Sequence, residues 1–195
     1  MKILRYEIRL WAALFRWIFR RPIPVPPSTR RFPYHRAVAM ILWAFLAVSV
    51  IEIPILELIL PWEPVRVVAL IISVYSVFWM IGLMGTMHVY PHLVGPAGLS
   101  IRKGATFTLD LPWADVAKIR SRPRSLPPGG QTQFEDGVLS FGAAGGTTVD
   151  VVLARPLTLP VKKTGGEPVT EVRFHADTPE ELAEAANAFL RAEVD

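Results

Sequence analysis

Hydrophobic positions are concentrated in two long runs near the middle of the chain. The first covers residues 38–60 and the second residues 67–87, and a short segment with two prolines, residues 61–65, separates them. A bilayer core about 30 Å thick needs roughly 20 apolar helical residues to cross it. Only helices and closed barrels cross lipid with their backbone polar groups satisfied. The pattern therefore predicts an α-helical membrane hairpin over residues 37–87.

A different pattern occupies residues 1–21, where bases recur among apolar and aromatic residues. Wound at about 100° per residue, five bases fall within a sector of roughly 60°. A narrow basic stripe on a broad apolar body is typical of a helix lying in the headgroup region of a membrane. Packing on the spans or on a partner subunit is the alternative. The predicted membrane-surface residues of this helix are Lys2, Arg5, Arg9, Arg16 and Arg20.

Residues 22–36 are basic and rich in proline, which favours an extended linker. Within the first span, Glu52 is the one unusual residue, because an ionisable group at that depth marks a candidate functional site. Counting the same depth into the second span reaches Tyr75, with Ser73 and Ser76 nearby. We therefore predict an intramembrane hydrogen bond from Tyr75 or Ser76 to Glu52, which either pairs the two helices or meets a partner. The alternatives are a transport or proton-relay role, contact with water where Pro54 kinks the helix, and a protonated, packed Glu52.

From residue 88 onward, short alternating segments and glycine turns replace the apolar runs. Seven strands are predicted, at residues 99–102, 106–109, 116–120, 137–141, 147–153, 157–161 and 169–174. A final helix is predicted from a capping box, in which Thr178 caps the helix, Pro179 opens it and Glu181 completes the box. Together these elements predict an α+β or all-β domain over residues 88–195, as a bent sheet or partly open barrel closed by the C-terminal helix.

Two segments of this domain resemble the start of bacterial pleckstrin-homology-like domains. Residues 98–102 read Gly-Leu-Ser-Ile-Arg, and residues 111–116 read Leu-Pro-Trp-Ala-Asp-Val. Residues 177–182 look like the closing helix of that family. The resemblance implies a binding or scaffolding module, with Trp113 as a core or hinge aromatic and Asp115 as a turn or strand-entry cap. The shared motifs are structural and not catalytic. The resemblance does not imply phosphoinositide binding, because only Arg102 and Lys103 flank the first turn.

Charge is unevenly placed along the chain, although the net charge is only +4. Residues 1–37 carry nine bases and one acid, whereas residues 88–195 carry eleven bases and thirteen acids. Bases near span ends stay on the cytoplasmic side. This favours a multi-pass protein of the cytoplasmic membrane with both termini in the cytoplasm. A slightly acidic folded domain does not favour nucleic-acid binding.

The sequence has no recognisable catalytic or metal-binding pattern. The chain has no cysteine, which excludes disulfides and thiol catalysis. His88 and His92 have a helical metal-ligand spacing, but Pro91 lies between them. No nucleophile and base are paired, so we expect no enzyme, no metal and no cofactor.

One further basic pattern has two interpretations. Bases at every second position of a strand share one face, where they either meet anionic headgroups or form an ordinary solvated surface. They are Lys118, Arg120, Arg122 and Arg124. We therefore expect a non-catalytic membrane tether that binds anionic lipid or a protein partner. The alternatives are an accessory subunit of a larger transport or envelope-synthesis complex, held through the hairpin, and, third, a membrane enzyme.

Overall fold

A computed structural model describes the backbone of residues 2–21 and 23–194 and the side chains of residues 6–21 and 23–192. The chain divides into two compact units. A helical unit holds the first helix with residues 38–90 and 104–106, and a sheet unit holds residues 24–37, 91–103 and the chain from residue 107. In chain order the elements are α1 (Lys2–Ile18), β1 (Arg30–Phe32), α2 (Arg36–Ile59), α3 (Glu63–Val89), β2 (His92–Gly95), β3 (Gly98–Lys103), β4 (Phe107–Leu111), β5 (Val116–Ser125), β6 (Thr132–Glu135), β7 (Val138–Phe141), β8 (Gly146–Leu157), β9 (Val169–Phe174) and α4 (Pro179–Val194).

The two apolar runs form α2 and α3, and both helices are long and apolar enough to cross a membrane. Each extends slightly beyond its predicted range, and α3 already begins at Glu63. Pro64 is tolerated there because the first turn of a helix leaves its N–H groups without helical partners. No residue of α2 is buried. In α3, burial is confined to the last two turns, at Gly82, Met84, Gly85, Thr86 and Val89.

The partner of α3 in the helical unit is α1. Leu10, Ala13 and Leu14 of α1 are buried. A Cβ atom placed on Gly82 would meet the Leu10 side chain, and one on Gly85 would lie 3.4 Å from the Leu14 Cα. These two glycines let the helices approach closely, as small residues do at membrane-helix interfaces.

The contacts advance in the same direction along both helices, so α1 runs parallel to α3. Leu10 lies against Gly82, Leu14 against Gly85, and Trp17 against His88. If α3 crosses a bilayer along its axis, α1 enters that bilayer beside it instead of lying flat on its surface. The structure thus favours the alternative of packing on a span over the in-plane helix that the basic stripe suggested.

The sheet unit contains two sheets with nine strands between them. One has the order β1-β2-β3-β4, and the other has the order β5-β8-β9-β7-β6. All pairings are antiparallel except that of β7 with β9. The prediction of helices plus a sheet domain is confirmed at this level. The predicted barrel is wrong, because the two sheets do not close into a cylinder.

Three differences from the predicted strands have identifiable causes. The supposed linker supplies β1, which pairs with β2 and buries Phe32. The hairpin strand β6 was missed because Thr-Gln-Phe-Glu carries only one apolar residue. The strand predicted at residues 157–161 is wrong, since β8 ends at Leu157 and a short 3-10 turn begins at Lys162.

Helix α4 closes the core of the sheet unit as predicted. It begins at Pro179 and buries Leu182, Ala185 and Ala186. Trp113 is also buried, stacks on Phe189 and donates from its indole Nε1 to the Gly95 carbonyl. The core joins the inward faces of both sheets, including Ile101, Leu111, Ile119, Leu139, Val149, Val151, Val172 and Phe174.

Candidate functional site

Strand β5 carries the predicted basic row, but a β-bulge breaks its regular alternation. The register with β8 shifts between Ser121 and Arg124. A bulge inserts one extra residue and turns the following side chains. As a result Arg120 and Arg124 reach the same acid, Asp150 of β8, from either side of the bulge.

Asp150 is a completely buried carboxylate held by three arginines. Arg124 donates from Nε and from Nη2 to Asp150 at 3.1–3.3 Å, which is the paired geometry that guanidinium and carboxylate favour. The Nε of Arg120 lies 3.5 Å from the carboxylate, and that of Arg173 on β9 lies 3.7 Å away. Arg173 also donates to Glu171 at 2.7 Å. Buried charges need such partners, because isolated they would be strongly destabilising.

The four predicted residues of β5 therefore divide into two pairs. Arg120 and Arg124 contact Asp150. They are therefore neither an ordinary solvated surface nor a row of bases that is fully free to bind headgroups. Lys118 and Arg122 are exposed. Among the described residues, neither makes an ion pair or a side-chain hydrogen bond, and these two remain available to an outside anion.

The bases of α1 are likewise dispersed. Arg9 donates to the Ala105 carbonyl at 3.3 Å, in the turn between β3 and β4 that belongs to the helical unit. Arg16 is exposed in the last turn of α1. Arg20 follows the helix end with a positive φ of 49°, so it does not continue the helical stripe. Lys2 and Arg5 lie outside the described side chains.

The predicted hydrogen bond to Glu52 is absent from the described structure, although Tyr75 does make a polar contact. Tyr75 donates to Glu7 of α1 at 3.2 Å, not to Glu52. Ser76 donates to the Ile72 carbonyl of its own helix. Ser73 is half-buried, and Glu52 is exposed on α2 without a hydrogen bond or ion pair in the described part of the chain. The reason is that α3 packs on α1, so the Tyr75 side chain meets α1.

Beside the Glu7–Tyr75 pair, the helical unit has an apolar groove of about 450 Å³. Tyr75 lies thirteen positions before His88 in α3, which at 1.5 Å per residue places the pair about 20 Å along the helix from its C-terminal end. The groove is lined by Trp11, Leu70, Ile71, Val74, Tyr75 and Phe78.

His92 is a core histidine with both ring nitrogens in use. Nε2 donates to the His175 carbonyl at 2.9 Å, and Nδ1 accepts from the Arg102 N–H at 3.0 Å. The ring stacks on Tyr34 and meets the edge of Phe174. Burial lowers the pKa of His92 to about 4, so the ring is neutral at pH 7. No ring lone pair is left for a metal ion.

Asp177 joins the loop before α4 to the first turn of α2, inside the sheet unit. Its two carboxylate oxygens accept from the Arg36 N–H at 3.1 and 3.2 Å, and its own N–H donates to the Pro33 carbonyl. Burial acts to raise the pKa of Asp177, but the hydrogen bond with His175, the Arg36 N–H and the nearby His35 together lower it. A carboxylate at a helix N-terminus is favoured by the helix dipole.

Sequence reasoning missed the roles of Asp150, Asp177 and Glu7, although Asp150 and Glu7 each left a signal. Asp150 is a lone acid within the apolar segment 147–153, opposite a basic strand. Glu7 is the single acid among nine bases in residues 1–37. An acid that interrupts such a pattern predicts a specific partner, because an unpaired charge there would be costly.

Comparison of the chain with family models, with curated proteins and with solved structures finds no match.

Proposed function

We propose that this chain is a multi-pass protein of the cytoplasmic membrane whose sheet unit is a non-catalytic module for a partner protein or for anionic headgroups. In this proposal α2 and α3 cross the bilayer, and the sheet unit and both termini face the cytoplasm. The pleckstrin-homology-like resemblance of residues 98–116 is part of the proposal.

The observation that carries this proposal is the position of α2 and α3 in the sheet topology. They are inserted between β1 and β2, which are antiparallel neighbours with Arg31 opposite Leu93. Neighbouring strands lie about 4.8 Å apart, so both ends of the inserted segment are on the same side of any membrane that it enters. A segment that crosses the membrane twice, once with α2 and once with α3, returns to the side on which it started and so meets this condition. The basic residues of the segment before α2 favour the cytoplasm for that side.

Membrane topology can be tested with single cysteines, because the chain has no native cysteine. Glu63→Cys places a thiol at the exposed start of α3, and Lys163→Cys places one on the exposed 3-10 turn of the sheet unit. In sealed right-side-out vesicles, a membrane-impermeant maleimide should label only Glu63→Cys. In inverted vesicles it should label only Lys163→Cys. Labelling of both from the same side would refute the hairpin.

The tethering role can be tested through the two exposed bases of β5. We expect Lys118→Glu with Arg122→Glu to reduce the proteins or anionic lipids that crosslink to the full chain in native membranes, as identified by mass spectrometry. The matched control is Lys162→Glu with Lys163→Glu, which reverses the same charges at another exposed site. Equal crosslinking in both double variants would count against this surface.

An accessory subunit of a larger membrane complex is the second candidate, favoured by α2. This helix has no buried residue and carries Glu52, for which the described structure provides no polar partner. Intramembrane carboxylates usually face a partner or a polar cavity. In this case Glu52→Leu should abolish co-purification of a membrane partner, whereas Glu57→Leu, near the end of α2, should not. Retention of every partner by Glu52→Leu would exclude this contact.

A further inference from the structure

The sheet unit contains a second polar feature, a pocket of about 380 Å³ on the sheet face that carries Asp150. Strand register places Arg120, Asp150, Arg173, Ser140 and Gln133 in one row across all five strands. The opposite face is the hydrophobic core. The end of β5 and the β6–β7 hairpin border the pocket, whose size lies within the usual range for small-molecule sites.

The floor of the pocket offers hydrogen-bond donors without partners. Ser140 lines it with only 5 % of its surface exposed, and its hydroxyl has no hydrogen-bond partner in the described structure. The Ser140 hydroxyl is therefore a donor in the pocket lining that is free to meet a ligand, separate from the arginines.

Two guanidinium groups line the same pocket in fixed orientations. Arg124 uses Nε and Nη2 on Asp150, and Arg173 uses Nε on Glu171. Nη1 of Arg124 and both Nη atoms of Arg173 make no hydrogen bond to any described residue. Asp150 thus fixes the arginines in the pocket lining while some of their N–H donors stay unused. Such preoriented donors suit an oxyanion.

Acidic side chains line the other part of the pocket. Glu135 and Asp136, at the β6–β7 hairpin, belong to its lining. They would repel a polyanion such as a phosphate ester, but they would attract an ammonium group. Gln133 donates to the carbonyls of Pro127 and Gly130, which holds the loop that forms one wall. Both charge signs are therefore present within one small cavity.

We propose that this pocket binds a small zwitterion of the amino-acid class. The ligand carboxylate accepts hydrogen bonds from Arg124, Arg173 and Ser140, and its ammonium group faces Glu135 and Asp136. This site is separate from the exposed Lys118 and Arg122, and it does not depend on how the chain crosses the membrane.

The test uses the full chain purified in detergent and a panel of the twenty standard amino acids and diglycine, with acetate, methylamine and inorganic phosphate as probes that carry charge of one sign only. Thermal shift identifies binders and calorimetry measures their Kd. At least one zwitterion should bind saturably, and its N-acetyl and methyl-ester forms should bind at least about tenfold more weakly, since each lacks one charge-assisted contact. Failure of the whole panel, or phosphate binding as tightly as every zwitterion, would overturn the proposal.

Variants assign the binding to this pocket. Arg124→Lys keeps a charge for Asp150 but loses the planar fork, so we expect about tenfold weaker binding. Ser140→Ala removes one neutral hydrogen bond and should weaken binding about fivefold. Arg122→Lys, on the same strand but outside the pocket, should bind normally. Unchanged affinity in both pocket variants, with unfolding curves like those of the native chain, would place any binding elsewhere.

Discussion

A single carboxylate, Asp150, orders three arginines drawn from two strands of the larger sheet. Its side chain is fully buried, whereas the side chains of Arg120, Arg124 and Arg173 are 39 %, 27 % and 24 % exposed. The arginines therefore keep part of their hydration while the acid keeps none. Removing the negative charge would leave three cations crowded around a neutral group.

At this residue we predict that Asp150→Asn lowers the free energy of unfolding by about 3 kcal/mol. This is the low end of the range for breaking a buried ion pair, because the arginines are partly hydrated. Chemical denaturation followed by near-ultraviolet circular dichroism measures the change. Asp136→Asn makes the same chemical change in an exposed turn and should have little effect. Similar losses in both variants would contradict the role of Asp150.

His92 gives the sheet unit a predictable dependence on pH. Above about pH 6.5 its ring is neutral in the folded and in the unfolded chain. Between pH 6.5 and about 4 the unfolded chain binds a proton that the folded chain does not, so stability falls as pH falls. The loss across this window is roughly 3 kcal/mol. His92→Gln should flatten the slope of unfolding free energy against pH, and an unchanged slope would show that another group dominates.

At the residue scale, the sequence predicted which side chains are unusual better than it predicted their partners. Tyr75 was selected by depth, but its partner depends on which helix packs against α3. The basic row of β5 followed from alternation, but the bulge near Ser121 depends on pairing with β8. Both facts involve residues far apart in the chain, so local periodicity contains no information about them.

At the element scale, glycines of α3 allow α1 and α3 to pack closely against each other. A Cβ on Gly85 would lie near the Leu14 backbone and the Trp17 Cβ, so alanine fits there, but a branched side chain has no room. Two helices that approach this closely gain van der Waals contact along their length.

We predict that Gly85→Val separates α1 from α3. Ala13 is fully buried and Ala12 is exposed, so they are matched sites for a reporter thiol. In detergent, Ala13→Cys should react with N-ethylmaleimide much more slowly than Ala12→Cys. Adding Gly85→Val should bring the two rates together, and a rate at Ala13→Cys that stays slow would contradict the packing.

Elements with a complete local signal were predicted well. Helix α4 has its cap, proline and capping-box glutamate within four residues, and its apolar positions follow one face. The ranges of α2 and α3 follow from the apolar runs alone. In contrast, β1 has one apolar residue among prolines, and only its pairing with β2 makes it a strand.

At the scale of the whole molecule, the segment before α2 is part of the sheet unit. Phe32 and Tyr34 are buried, and Arg36 is held by Asp177. A fragment that begins after α3 would therefore lack an edge strand and two buried aromatics.

We predict that replacing β1 by Arg30→Gly, Arg31→Ser and Phe32→Gly destabilises the sheet unit by about 3 kcal/mol or more, the usual cost of losing a buried phenylalanine. Limited proteolysis of the full chain should then cut within β2–β9 faster than in the native protein. The control Pro26→Gly with Pro27→Ser alters the same segment outside β1. Equal cleavage rates in all three proteins would contradict a structural role for β1.

The placement of β1 before the apolar helices and β2 after them has a consequence for biosynthesis. The ribosome completes β1 early, but β1 has no strand to pair with until α2, α3 and β2 have all emerged. If α2 and α3 cross a bilayer as proposed, a nascent chain that inserted only one of them would leave β2 on the opposite side of the membrane from β1, and Phe32 would stay exposed. Sheet formation would then act as a checkpoint on insertion, since only correctly threaded chains could complete the fold and escape quality-control proteases.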